Sequence, residues 1–161
     1  GNPLVQELYN LPIQTVNLFP MVLKLLRMDE SNQSVIVHGL VRVQIEEWLG
    51  LEPYLRARVR VLQEDMPQGT ETDALVMNVR SLASRVIQMI PNIPEEAAVV
   101  LDSIDQGSAL SDFLASNLLQ AEVPVKQNLL EELNVNQRLR MIGVELQKQL
   151  EVTELSQKIQ N

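Results

Sequence analysis

Few residues in this chain are of a type, and in a place, to do covalent chemistry. Its 161 residues include no cysteine and one histidine, His38. That removes disulfides, zinc–thiolate centres, thiol nucleophiles and multi-histidine metal sites. A Ser-His-Asp triad would have to use His38, which falls in the middle of an alternating apolar stretch. A lone histidine there is ordinarily packed or solvated. The six glycines (Gly1, Gly39, Gly50, Gly69, Gly107 and Gly143) build neither GxxxxGK[ST] nor GxGxxG, so no phosphate-cradling loop is visible. No GxSxG elbow occurs either. The acid pairs Glu46-Glu47, Glu95-Glu96 and Glu131-Glu132 read as solvated or helix-dipole charges rather than acid/base pairs. Lys126 has no activating neighbourhood in the sequence.

Two stretches could bind rather than react. Arg56, Arg58 and Arg60 alternate along one segment. Three guanidiniums on one strand face suit an anionic ligand or an acidic segment. The favoured reading is an exposed sheet face balanced by acids such as Glu46, since like charges also deter edge-to-edge association. The second stretch, Trp48-Leu49-Gly50-Leu51-Glu52-Pro53-Tyr54, concentrates Trp, Leu and Tyr on a connection. It suits apolar contact with an extended or unfolded peptide, and Trp48, Leu49, Leu51 and Tyr54 are the candidate contact residues. Trp48 closing over the core is the other reading, and both stay open.

Charge narrows the partners. Thirteen Lys and Arg face 21 Asp and Glu, a formal charge of −8. A general nucleic-acid binder needs the opposite sign. After Gly69 there are 13 acids against 7 bases, and before it 8 against 6, so the acidity belongs to the second half. Hydrophobic residues make up 45% and aromatics only 3%, so the core is built from aliphatic side chains. No apolar run approaches the ~18 residues of a membrane span, and a chain without cysteine fits a cytoplasmic setting.

The elements that must carry these residues change character near Pro67. Residues 34–47 alternate, with Val35, Val37, Gly39, Val41, Val43 and Ile45 on one face. Gly39 predicts a bulge, a bend or a close backbone approach. Residues 21–28 form an apolar partner strand, joined through Asp29-Glu30-Ser31-Asn32. Residues 54–62 give a third strand, with Leu55, Ala57, Val59 and Val61 inward. Beyond Pro67-Gln68-Gly69 the period becomes helical. Leu75, Val79, Leu82, Val86 and Ile90 form one stripe, with Thr70 as expected cap. Helices then follow from Pro94, from Ser108 as cap, from Pro124, and from Asn134 as cap of a last helix over 135–160. That last stripe starts Leu139, Ile142, Leu146, Leu150 and moves to Val152, Leu155, Ile159. Leu146, Leu150, Val152, Leu155 and Ile159 are the expected oligomerisation or inter-domain contacts. No Gly or Pro stop follows, so the helix is expected either to fray or to run on toward another domain.

The expected class is α+β: a β subdomain with a partial barrel-like sheet at 1–66, then a helical bundle at 67–134. A long helix at 135–161 completes it.

These pieces resemble the N-terminal domain of ATP-dependent Lon proteases. The matching segments are LKLLRM (23–28), SVIVHGLVRVQI (34–45), PYLRARVRVL (53–62), SALSDFLASNLL (108–119) and KQNLLEELNVNQRL (126–139). The tail ELQKQLEVTELSQKIQ (145–160) is similar to the long helix that follows in the family. LPIQTVNLFP (11–20) resembles the family's first strand. In the family that strand and LKLLRM are well separated. Here they almost touch at Pro20-Met21, which implies a deletion or a join across missing residues.

The resemblance implies a parent that is a homo-hexameric AAA+ serine endopeptidase with a Ser–Lys dyad, using ATP and Mg. It implies a domain that helps recognise unfolded or damaged proteins in quality control and supports assembly. Neither catalytic signature occurs in this chain, so no cofactor, metal, ATPase or peptidase activity is expected of it. A structural spacer without substrate binding is the competing expectation.

Overall fold

The computed structural model describes residues 16–27, 33–91 and 96–161. The expected turn at 29–32 and the expected helix start at Pro94 lie outside them. The chain divides into two compact units, Gly1–Gln63 and Glu64–Asn161.

In the first unit the described strands form an antiparallel sheet in the order β1 (Val16–Arg27), β2 (Gln33–Gly50), β3 (Arg56–Leu62). β1 runs without interruption through Pro20-Met21. The register slips there: Phe19 faces Val41, whereas Pro20 faces Gly39, so Leu40 is the extra residue. Proline has no N–H for the ladder, and a bulge beside it removes the need for one. This is the irregularity that Gly39 announces. Two further slips between β2 and β3 leave Glu46 and Leu49 as extra residues.

Alternation predicted facing better than burial. Val43 and Ile45 are buried, but Val59 and Val61, expected inward, are exposed. Val35, Ile36 and Val37 are exposed on both faces of the far end of β2. Period two decides which side a residue takes. Burial also needs a second layer over that side.

The second unit is a helical bundle of α1 (Thr70–Met89), α2 (Glu96–Ser103), α3 (Gly107–Asn117), α4 (Val123–Glu131) and α5 (Val135–Gln160). The fold class is therefore α+β, with a helical part that ends in a long helix. Val79, Leu82, Ala83 and Val86 of α1 pack with Leu101, Leu110, Leu114 and Leu129. Val135, Leu139, Ile142, Leu146 and Leu150 of α5 complete this core. Each such leucine contributes roughly 1.5–3 kcal/mol by leaving water.

The helix starts only partly follow the expected caps. Asn134 caps α5: its Oδ1 accepts from the Gln137 N–H at 3.0 Å. At α1 the cap position is Gly69, not Thr70, which is already helical. Gly69 has φ 125°, a value that β-carbon sterics oppose in other residues. At α3 the cap position is Gln106. Ser108 lies inside that helix and donates instead to Glu64 Oε2 at 2.7 Å. Proline in the first turn of α4 follows the expected pattern.

Candidate functional site

The end of β2 and the β2–β3 connection hold the four candidate contact residues in two environments. Trp48 is half-buried within β2 and faces Ala57 of β3. Leu49 is the bulged residue that follows, so the ladder does not fix it. Leu49 is 47% exposed, Leu51 44% and Tyr54 67%. Trp48 is therefore partly a packing residue, while the other three present apolar surface to water.

Arg58 and Arg60 of the ladder are balanced by acids, as the favoured sequence reading has it. Arg58 pairs with Glu47 at 2.7 Å, and Arg60 with Glu46 at 3.5 Å. Arg60 also donates to the Gln44 side chain. The bulge at Glu46 places two consecutive acids beside two alternate arginines. These pairs are exposed, so each holds little stability.

His38 is exposed on β2 opposite Met21. Among the described residues, no group of three or more His, Cys, Asp or Glu could hold a metal ion. No helix among them is long and apolar enough to cross a membrane.

The second unit contains a polar centre that sequence reasoning missed. The Arg138 side chain is 1% exposed. Its Nη1 donates to Glu64 Oε1 at 2.5 Å and to Ser111 Oγ at 3.3 Å. Its Nε donates to the carbonyl oxygens of Leu129 at 3.2 Å and Glu132 at 3.1 Å. Glu64 in turn accepts from Ser108, and Ser111 donates to the Ser108 carbonyl at 2.7 Å. One guanidinium thus ties α5, the end of α4, α3 and the segment before α1. Such a buried charge is tolerable only because its donors are matched. A signal did exist: Arg138 is four residues before Ile142 and eight before Leu146, on the buried stripe itself.

Beside it, the segment after Glu64 is clamped to the start of α5. The Asp65 N–H donates to the Leu133 carbonyl, and the Val135 N–H to the Asp65 carbonyl, both at 2.9 Å. Asn134 Nδ2 also reaches Asp65 Oδ2 at 2.8 Å.

The expected contact stripe on α5 splits in two. Leu146 and Leu150 are bundle core and are not available to a partner. The face they occupy is already covered by the bundle itself. Val152, Leu155 and Ile159 are 68%, 59% and 77% exposed. Between α1 and α5 lies an open groove of about 530 Å³, lined by Leu75, Asn78, Leu82, Arg140, Gly143 and Lys148 among others.

Three comparisons place this architecture. Residues 14–148 match the family model of the ATP-dependent protease La (LON) substrate-binding domain. Lon protease 2 of Sorangium cellulosum is 34% identical over 159 residues, which cover 98% of this chain and 19% of that protein. Lon protease of Syntrophus aciditrophicus is 39% identical over 141 residues, covering 87% of this chain and 18% of that protein. The chain thus spans about a fifth of the length of these relatives. A solved structure, the N-terminal domain of Mycobacterium avium complex Lon protease, superposes with a TM-score of 0.66 at 21% identity. That match covers 83% of this chain and 70% of the solved one, and it shows a shared fold. By its match over residues 14–148, the chain belongs to the LON substrate-binding domain family.

Proposed function

We propose that this domain recognises unfolded or damaged polypeptides for an ATP-dependent Lon protease in cytoplasmic quality control. On this reading its β2–β3 connection supplies the contacts, and the domain also supports assembly of a homo-hexamer. Peptide cleavage by a Ser–Lys dyad, with ATP and Mg, belongs to other parts of the parent protein. This chain then needs no cofactor.

The observation that carries the reading is the apolar surface of Leu49 at the end of β2 and of Leu51 and Tyr54 on the connection after it. An unfolded chain exposes the aliphatic and aromatic groups that such a surface can cover. Each contact is small, so single-site binding is weak. Repetition in an oligomer raises it through effective concentration.

Trp48 is the only tryptophan and adjoins the surface, so its emission reports on occupancy. The test is a fluorescence titration with a tryptophan-free, permanently unfolded polypeptide. The Leu49→Ser/Leu51→Ser/Tyr54→Ser variant is expected to bind about tenfold or more weakly with an unchanged melting temperature, each truncated anchor being worth about 1 kcal/mol or more. Equal affinity in that variant overturns the assignment.

A second reading, a structural spacer without substrate binding, draws on the exposed end of α5. Sedimentation with and without residues 151–161 separates the two. Self-association lost on truncation, in a chain that binds no polypeptide, favours the spacer.

A further inference from the structure

The register of β3 against β2 treats the three arginines differently. Arg58 faces Glu47 and Arg60 faces Gln44, and each of the two has an acid as ion partner. Arg56 faces Gly50, which Leu49 and Leu51 flank in sequence. The backbone keeps a glycine there, because its φ is 155°, a value that other residues rarely adopt. No acid can stand opposite Arg56 without strain. A β-carbon on Gly50 would lie 3.8 Å from Arg56 Nη2, so the guanidinium reaches across this open position. Glu46 and Glu47 are engaged by Arg60 and Arg58, and Glu52 of the connection does not pair with Arg56. Among the described residues Arg56 is thus an exposed cation with no partner, and its cross-strand neighbour lies between two exposed leucines.

We propose that Arg56 is a specificity-determining residue of the polypeptide site, and that it selects segments in which an Asp or Glu side chain adjoins an apolar run. The inference rests on the proposed polypeptide contact at Leu49, Leu51 and Tyr54. A guanidinium is planar, weakly hydrated and able to take a carboxylate through two parallel N–H···O bonds. At Arg58 or Arg60 an incoming carboxylate would have to displace a resident acid. At Arg56 it displaces only water. A polypeptide that covers the neighbouring leucines also removes water from around the pair, which strengthens it. An acidic side chain is favoured over the terminal carboxylate, because an unfolded chain carries many of the former and one of the latter. A nucleic acid is disfavoured by the formal charge of −8. The apolar groups supply the bulk of the affinity, and Arg56 supplies the difference between otherwise equal segments.

The test uses the whole chain, Trp48 emission, and tryptophan-free unstructured peptides that are amidated at the C-terminus. Two peptides share one apolar run and differ only in a Glu or a Gln beside it. The native chain is expected to bind the Glu peptide about two- to fivefold more tightly, as for an exposed ion pair, with the difference fading in high salt. Arg56→Gln is expected to abolish the preference and leave affinity for the Gln peptide unchanged. Arg56→Lys keeps part of it, and Arg58→Gln keeps all of it. Arg56→Glu is expected to reverse it, favouring a third peptide with Lys in place of Glu. Arg56 is exposed, and circular dichroism confirms that each variant is folded.

A preference that survives in Arg56→Gln overturns the proposal. So does a gain for the Gln peptide, when its C-terminus is left free, that matches the gain from Glu. Equal binding of the Glu and Gln peptides, lost in the Leu49→Ser/Leu51→Ser/Tyr54→Ser variant, overturns the role of Arg56 and leaves the polypeptide site standing. Binding of neither peptide overturns both.

Discussion

Arg138 Nη1 lies 2.5 Å from Glu64 Oε1, joining residues 74 positions apart across the helical unit. The arginine is almost wholly buried and the glutamate mostly so. Arg138→Ala would remove the guanidinium that donates to Glu64, Ser111 and two carbonyls. The expected cost is about 3–5 kcal/mol, read as a lower urea midpoint. Glu64→Gln keeps an acceptor in place and should cost clearly less.

Asn134 serves both the Gln137 N–H and Asp65 Oδ2. Asn134→Ala removes a helix cap and a link between segments at once. A loss of about 1–2 kcal/mol is expected, while Asn134→Asp keeps the cap and brings a second carboxylate beside Asp65. The aspartate variant should therefore recover stability in high salt, and the alanine variant should not.

Gly143 sits where α5 approaches α1. An added β-carbon would lie 3.4 Å from Asn78 Nδ2 and 3.8 Å from Val79 Cγ1. The first neighbour is the end of a flexible side chain. Gly143→Ala should thus be neutral or stabilising by up to about 1 kcal/mol, through helix propensity. Gly143→Leu should overpack the contact and lose about 1–3 kcal/mol in thermal unfolding.

Leu114 is fully buried, and Leu155 is exposed. Leu114→Ala should cost about 2–5 kcal/mol, whereas Leu155→Ala should stay within about 0.5 kcal/mol of the parent stability. Paired denaturation curves check the contrast.

Arg58 and Glu47 form an exposed pair. Arg58→Ala should change stability by less than about 1 kcal/mol, with the difference fading at high salt. Polypeptide affinity should be unchanged in the same variant. A marked loss would revive the anionic-ligand reading of the ladder.

The sequence made local relationships readable. The shift of period at Pro67-Gln68-Gly69 located the start of α1, and Asn134 announced α5 with its cap. Leu139, Ile142, Leu146 and Leu150 marked the buried face of the same helix. What was hidden depends on residues distant in the chain. Nothing near Ser108 says that Glu64 will draw its hydroxyl away from capping. Nothing near Arg138 names Glu64 as its partner, although its place on the apolar stripe marks it as buried. Val59 and Val61 misled for a related reason: alternation records a side, and only a covering layer makes that side an interior. The same stripe logic over-extended at Leu146 and Leu150, where a core face was read together with a contact face. The candidate site was legible as a composition, Trp48 to Tyr54. The half-buried state of Trp48 was not, because it depends on how far β2 runs before the chain turns.

The bridge between Asp65 and the start of α5 bears on the order of events during synthesis. Asp65 leaves the ribosome well before Leu133, Asn134 and Val135, the residues that satisfy its backbone and carboxylate. The β1–β2 and β2–β3 ladders, by contrast, are complete once Leu62 has emerged. The sheet can therefore pair while the helical unit is still being made, but the strap that opens the helical unit cannot lock until about seventy further residues exist, roughly 4–14 s of elongation. A nascent chain paused before residue 133 should present paired strands joined to an unsecured segment, and a protease that cuts near Glu64 would find that segment open only in this interval.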